Sequence, residues 1–244
     1  MFKNYLKIAW RNIIRNKMHT VINVAGLALG LTCCMFIYLW VQDEKSIDNF
    51  YTNGKNLYAV YTTTIANGKT EGTYATPLRS DSGNIYPDLL LEGVPAAVPE
   101  VKHLTFYATG YELPWGHPET FQVGEKIIKM DGSRAGKDFF KMFSYPLIAG
   151  NADNALADMH GIAISRKMAE IFFGSPSNAM GKTLRYENKL DFIVTAVFEN
   201  VPEQSSLYFD FLLNMDAQKH LLEWASANLL AYVELADNAS PNKV

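Results

Sequence analysis

The sequence predicts an α+β protein carried on one membrane-crossing helix, and three observations predict it. Residues 20–41 run for 22 residues without a formal charge. Beyond them, short β-branched and aromatic runs alternate with short helical ones. Three turn signals, Asn67-Gly68, Gly124-Glu125 and Asn188-Lys189, lie between such runs and imply antiparallel hairpins. Strands and helices interspersed in this way argue for α+β rather than a doubly wound parallel sheet.

The chain has 244 residues, 48% hydrophobic and 19% charged, which excludes disorder and leaves room for one large or two small folded units. Its two cysteines, Cys33 and Cys34, are neighbours, so no disulfide framework and no cysteine-based zinc site beyond that pair is available. Residues 1–42 hold Lys3, Lys7, Arg11, Arg15 and Lys17 and no acid, while all 25 acidic residues lie beyond, with the other 17 of the 22 basic ones. An acidic body argues against a nucleic-acid partner.

The basic head is patterned. Phe2, Tyr5, Leu6, Ala9, Trp10 and Ile13 recur at helical spacing, and Lys3, Lys7, Arg11 and Arg15 recur every four residues on the opposite side. Residues 1–19 are therefore expected to form an amphipathic helix on the inner leaflet, with its cations toward anionic head groups of membrane lipid and Trp10 on the apolar face. The 22 residues that follow would give roughly 33 Å of helix, against about 30 Å of bilayer hydrocarbon. A cleaved signal peptide has an apolar region of about 7–15 residues and a small-x-small site; this run is longer and leads into Trp40-Val41-Gln42-Asp43. Gly30-Leu31-Thr32-Cys33 fits a lipoprotein box badly because Thr precedes the cysteine. Tyr38 and Trp40 suit the lipid–water boundary. The basic flank before the span and Asp43, Glu44 and Asp48 after it place the N-terminus in the cytoplasm and residues 42–244 outside. Gly26 and Gly30 form a small-xxx-small step that would let another helix approach.

In the body, Lys45–Tyr51 is expected to continue as a short helix, and Leu57–Ile65 reads as one strand with a return over 70–75. Residues 81–100, broken by Pro87, Pro95 and Pro99, read as interrupted helix before a strand at 101–108. A hairpin over 121–130 and a helical turn at 136–143 follow. Ile162–Ile164 reads as a buried strand, Ser165 as the cap of a helix over Arg166–Phe173, and Gly174 as its end. A third hairpin occupies 183–199, residues 207–214 fit strand or helix, 216–225 reads as helix, and 229–235 as a final strand.

No catalytic, cofactor-binding or metal-ligating set emerges. Gly181-Lys182-Thr183 resembles the end of a phosphate loop, but position 176, where the first glycine belongs, is Pro176, and the segment leads into a strand. His19, His103, His117, His160 and His220 show no HExxH or paired spacing, and Pro118 after His117 is at odds with a metalloprotease helix.

Several stretches together resemble a known family. Phe2–Leu31 (FKNYLKIAWRNIIRNKMHTVINVAGLALGL) is similar to the start of ABC-transporter permeases of the FtsX-like, MacB-type family. Phe143–Asn151 (FSYPLIAGN), Ile162–Gly174 (IAISRKMAEIFFG), Gly181–Leu184 (GKTL), Val194–Pro202 (VTAVFENVP) and Asp210-Phe211 resemble that family's extracytoplasmic core, in the same order. The resemblance implies a mixed α/β core of two small lobes and a permease subunit without catalytic residues or cofactor. It also implies a separate ABC ATPase as partner, a permease dimer, and transmission of ATP-driven helix movement to the outer domain for export or lipoprotein handling. Members carry further spans after this core, so the chain is expected to be an N-terminal fragment or a truncated product. Two other readings stay open from the residues alone: a single-pass anchored ligand-binding or sensor domain, and an anchored hydrolase.

Overall fold

The computed structural model describes residues 2–66, 69–74, 94, 97–109, 118–215 and 228–241. The expected Asn67-Gly68 turn, the helix over 216–225 and most of the interrupted helix over 81–100 lie outside them. The chain divides into two compact units, residues 1–49 and 50–244.

The first unit is two helices. Helix α1 spans Phe2–Arg15 and α2 spans Lys17–Ser46. Asn16 breaks the path between them (φ −113°, ψ 57°), and the Thr20 hydroxyl donates back to the Ile13 carbonyl at 3.3 Å. At 30 residues, α2 is about 45 Å long. It continues through Asp43–Ser46, so the helical continuation expected over Lys45–Tyr51 stops at Ser46, and a turn over Ile47–Phe50 follows.

The second unit is built on a ten-stranded mixed sheet and a separate hairpin. Its strands are β1 (Leu57–Val60), β2 (Thr62–Ala66), β3 (Lys69–Tyr74), β4 (Val101–Thr109), β5 (Pro118–Val123), β6 (Lys126–Ala135), β7 (Leu147–Ala149), β8 (Gly161–Ser165), β9 (Thr183–Tyr186), β10 (Leu190–Phe198), β11 (Phe211–Asn214) and β12 (Asn228–Leu235). Short helices α3 (Phe139–Met142), α4 (Arg166–Phe173) and α5 (Pro176–Ala179) lie among them. The single strand expected over Leu57–Ile65 is two: β1 pairs with β12 while β2 pairs with β3, because Tyr61 interrupts the pairing and the halves serve different sheets. Residues 207–214 resolve to a strand over Phe211–Asn214.

All three expected hairpins form, β2/β3, β5/β6 and β9/β10. Gly124 has φ +57°, as the first position of a two-residue hairpin loop demands. The last turn sits one residue earlier than its sequence signal, on Glu187-Asn188, both at positive φ, with the Lys189 amide donating to the Tyr186 carbonyl. Pairing is not wholly antiparallel: β8/β10 and β6/β11 are parallel, the former reached by a crossover through α4 and α5.

The strand order is β1-β12-β4-β6-β11-β8-β10-β9-β5, and β5 pairs back on β6. Six strands, β6-β11-β8-β10-β9-β5, thus close a ring, and β4, β12 and β1 form a wing off β6. Closure removes edges from that part of the sheet. All six ring strands feed one apolar cluster: Phe121, Met130, Ile162, Ile164, Leu184, Tyr186, Phe192, Val194, Val197, Phe211 and Leu213, together with Met168 and Phe172 of α4. The opposite faces of β8, β10 and β11 present Ala163, Ala196, Phe198 and Leu212 to a second cluster that holds Phe139, Phe143, Tyr145 and Phe209. One strand with both faces buried explains why Gly161–Ser165 lacks a polar alternation. The wing carries a third cluster around Phe106, Val233 and Leu235.

Candidate functional site

The anchor comes first in the chain. At 100° per residue the α1 cations Lys3, Lys7, Arg11 and Arg15 fall within an arc of about 120°, opposite Tyr5 and Ile13, while Trp10 lies at the margin of the two faces, about 20° from Lys3. All four cations are exposed, and Trp10 is 65% exposed although it is apolar. In α2 no residue is buried, and its apolar side chains, including Leu27, Leu31, Phe36 and Leu39, are all open. An all-round apolar helix of this length needs an apolar surround. Thr32 donates its hydroxyl to the Ala28 carbonyl at 2.8 Å, which satisfies it within the helix. At Gly26 and Gly30 an added Cβ would meet nothing within 4 Å, so the step faces open space in the isolated chain.

In the second unit, most of the core stretches named above, those within 143–202, meet at or beside β10. Strand β7, from the Phe143–Asn151 stretch, pairs with one end of β10, and β8 pairs alongside it. Gly150, at φ +85°, sits where a Cβ would lie 2.6 Å from the Thr195 carbonyl oxygen. Thr195 is the extra residue in the β10/β8 register, and its hydroxyl reaches the carbonyls of Ala155 (2.7 Å) and Ile162 (3.1 Å). Helix α4 is closed at both ends as expected. Ser165 Oγ accepts from the Met168 amide at 3.1 Å, and Gly174 takes φ +81° while its amide donates to Glu170.

Charged contacts fasten α4 to the same block. Arg166 grips Glu199 with two nitrogens at 2.8 and 2.6 Å. The hydrogen bonds from Arg166 hold the Glu199 carboxyl below its ordinary range and raise the guanidinium in turn. The Lys167 amide donates to Asn200 Oδ1 at 2.9 Å, and its ammonium reaches the buried Asp210 at 2.8 Å, which pushes the lysine up. Asp210 also accepts from the Ser165 hydroxyl at 3.3 Å, and its carbonyl takes the Ser165 amide. These residues are thus spent on fixing one strand against its neighbours.

The same test disposes of the phosphate-loop resemblance at Gly181-Lys182-Thr183. The Gly181 amide donates to the Val194 carbonyl and the Lys182 amide to Ala179, so both are used inside the protein and the turn opens the β9/β10 hairpin. Among the described residues no three of His, Cys, Asp and Glu converge as metal ligands. Two carboxylates were not anticipated, the half-buried Glu119 and the buried Glu234. Glu119 pairs with Arg134 at 3.0 Å, which also reaches the Tyr186 hydroxyl. Glu234 accepts at Oε1 from Lys102 and Asn53, both at 3.1 Å, while its Oε2 is buried without a hydrogen-bond partner. A signal for Glu234 existed: in the period-2 pattern of β12 it falls on the face of Leu230 and Tyr232, which pack on the aromatic cluster.

One helix long and apolar enough to cross a membrane, followed by a mixed α/β core, suits a membrane-anchored protein with an extracytoplasmic domain. The pattern of the MacB-like periplasmic core domain matches residues 20–244, and the chain belongs to that family, which is one of ABC transporter permease components. Its fold is shared with a domain assigned to a permease protein from Porphyromonas gingivalis (23% identity, 79% of this chain and 81% of that one, TM-score 0.54). It is also similar to the periplasmic region of MacB from Actinobacillus actinomycetemcomitans (14% identity, 82% and 80% coverage, TM-score 0.50). No curated protein sequence matches significantly.

Proposed function

We propose that the chain acts in a permease subunit that relays force from an ABC ATPase on the cytoplasmic side to the outer domain. In this reading α1 lies on the inner leaflet, with Lys3, Lys7, Arg11 and Arg15 at anionic head groups and Trp10 in the boundary. Helix α2 crosses the inner membrane over residues 20–41. Gly26 and Gly30 admit a neighbouring helix, from the same permease or from a second copy in a permease dimer. The observation that carries the reading is the direct covalent junction of a fully exposed apolar helix with a core of the MacB-like family. A force relay needs a stiff outer body, and the two ion pairs of α4, Arg166–Glu199 and Lys167–Asp210, together with the Ser165 cap, favour stiffness of the block around β10. Membranes from the native host, with a single cysteine at exposed Tyr208 in a chain whose Cys33 and Cys34 are alanine, test it. ATP with vanadate is expected to change the rate of maleimide labelling at that site; an identical rate with and without nucleotide would overturn the reading.

A further inference from the structure

The chain comes off α2 and is fastened within ten residues to two segments that lie far away in sequence. The Tyr51 and Tyr145 hydroxyls meet at 2.7 Å, and the Thr52 amide donates to Ser144 Oγ at 2.9 Å. Asn53 donates its side-chain amide to Glu234 Oε1 at 3.1 Å, and Asn56 donates to Asp237 Oδ1 at 2.8 Å. Strand β1 then pairs with β12, with Leu57 opposite Glu234. We propose that Asn53 and Glu234 form the latch through which displacement of the membrane helix reaches the β12–β4 wing, a role that rests on the force-relay reading above.

The chemistry of Glu234 suits a latch. Glu234 is 1% exposed, and Oε1 receives both Asn53 and Lys102 of β4, so one oxygen ties the post-helix segment to two adjacent wing strands. Among the described residues Oε2 has no hydrogen-bond donor. Withdrawing Asn53 therefore leaves a buried carboxylate short of a donor, and the wing must move with Asn53 or lose that bond. Asn56–Asp237 is an exposed contact and, exchanging readily with water, carries less.

The test uses the full chain in vesicles of dimyristoyl- or dierucoyl-phosphatidylcholine, whose thin and thick bilayers tilt or shift α2 by hydrophobic mismatch. Amide hydrogen exchange is read over residues 50–52 and 230–237. In the unaltered chain the two bilayers are expected to differ by about threefold or more at 230–237. In Asn53→Ala that difference is expected to shrink by at least half while it persists at 50–52, the remainder passing through the β1/β12 pairing. Glu234→Met, which removes the buried charge but keeps the volume and leaves Lys102 more than half exposed to water, is expected to behave likewise. Melting temperature checks that both variants fold. Exchange at 230–237 independent of bilayer thickness in the unaltered chain, or an undiminished difference in either variant, would overturn the latch. No ATPase is present in these vesicles, so such a result leaves the nucleotide-dependent labelling at Tyr208 to decide the wider reading.

Discussion

Replacing Gly132 by alanine puts a methyl group where β6 and β11 lie closest. The new Cβ would stand 2.4 Å from Phe211 Cδ1, 2.5 Å from Cε1 and 2.5 Å from the Phe211 carbonyl oxygen, roughly 1 Å inside ordinary contact. The ring cannot swing clear, because Phe211 is fully buried and its centroid is 4.7 Å from that of Phe121. The oxygen belongs to the backbone and cannot change rotamer at all. Overpacking of this kind costs about 1–3 kcal/mol, and the double clash points to about 3. In a folded unit of this size 1 kcal/mol is worth roughly 2–4 °C, so the melting temperature should fall by about 6–12 °C. Near-ultraviolet circular dichroism of the full chain in detergent micelles reads this directly from the aromatic clusters. Phe211→Leu, which shortens the side chain, should recover part of the loss in the double variant, since the two sites share one contact. A Gly132→Ala protein melting within 2 °C of the unaltered one would refute the ring seam as described.

Three further outcomes are expected. Arg166 holds Glu199 in its charged form, so this pair stabilises the fold above the unfolded glutamate value of about 4.3 and ceases to do so as pH falls through the lower folded value. The melting difference between the unaltered chain and Glu199→Gln should therefore be present at neutral pH and disappear in acid; a difference constant with pH would count against the pair. Ser165→Ala removes the acceptor for the Met168 amide and a donor to Asp210, at a cost of about 1–2 kcal/mol in chemical denaturation, and an unchanged midpoint would show that the cap contributes nothing. Changing Lys3, Lys7, Arg11 and Arg15 together to glutamine should weaken the affinity of a synthetic peptide of residues 1–18 for phosphatidylserine-containing vesicles by about a thousandfold, at about 1 kcal/mol per cation. Equal flotation of both peptides would remove the surface role of α1.

What the sequence revealed follows the range of the interactions involved. The long apolar helix was legible because composition alone marks it: 22 uncharged residues behind five cations need no tertiary partner to be recognised. The Ser165 cap and the Gly174 stop were legible because both act within one helix, and Gly124 because its loop is two residues long. The β9/β10 turn was displaced by one residue, since Glu187 takes the left-handed conformation that Asn188-Lys189 had suggested for the following pair. Ring closure was not legible: β5 meets β9 through only two residue pairs, Phe121–Tyr186 and Gln122–Arg185, and neither leaves a local mark. The parallel β6/β11 and β8/β10 pairings were missed for the same reason, and Tyr61 carries no Gly or Pro to announce the break between β1 and β2. The roles proposed for Lys3, Lys7, Trp10, Arg11, Arg15, Gly26 and Gly30 rest on periodicity and spacing alone. The contact of Asn53 with Glu234, 181 positions apart, was not legible. The family resemblance rested on several stretches taken together, and that those within 143–202 meet at or beside β10 shows only in three dimensions.

The central claim is topological: cations and α1 on one side of the membrane, residues 43–244 on the other. Single cysteines at Asn4 and Lys189, both exposed, in a chain with Cys33 and Cys34 replaced by alanine, test it with a membrane-impermeant maleimide on intact cells stripped of their outer envelope. The cysteine at 189 should label at once and that at 4 only after permeabilisation. Labelling of position 4 from outside, with 189 protected until the membrane is opened, would contradict the account.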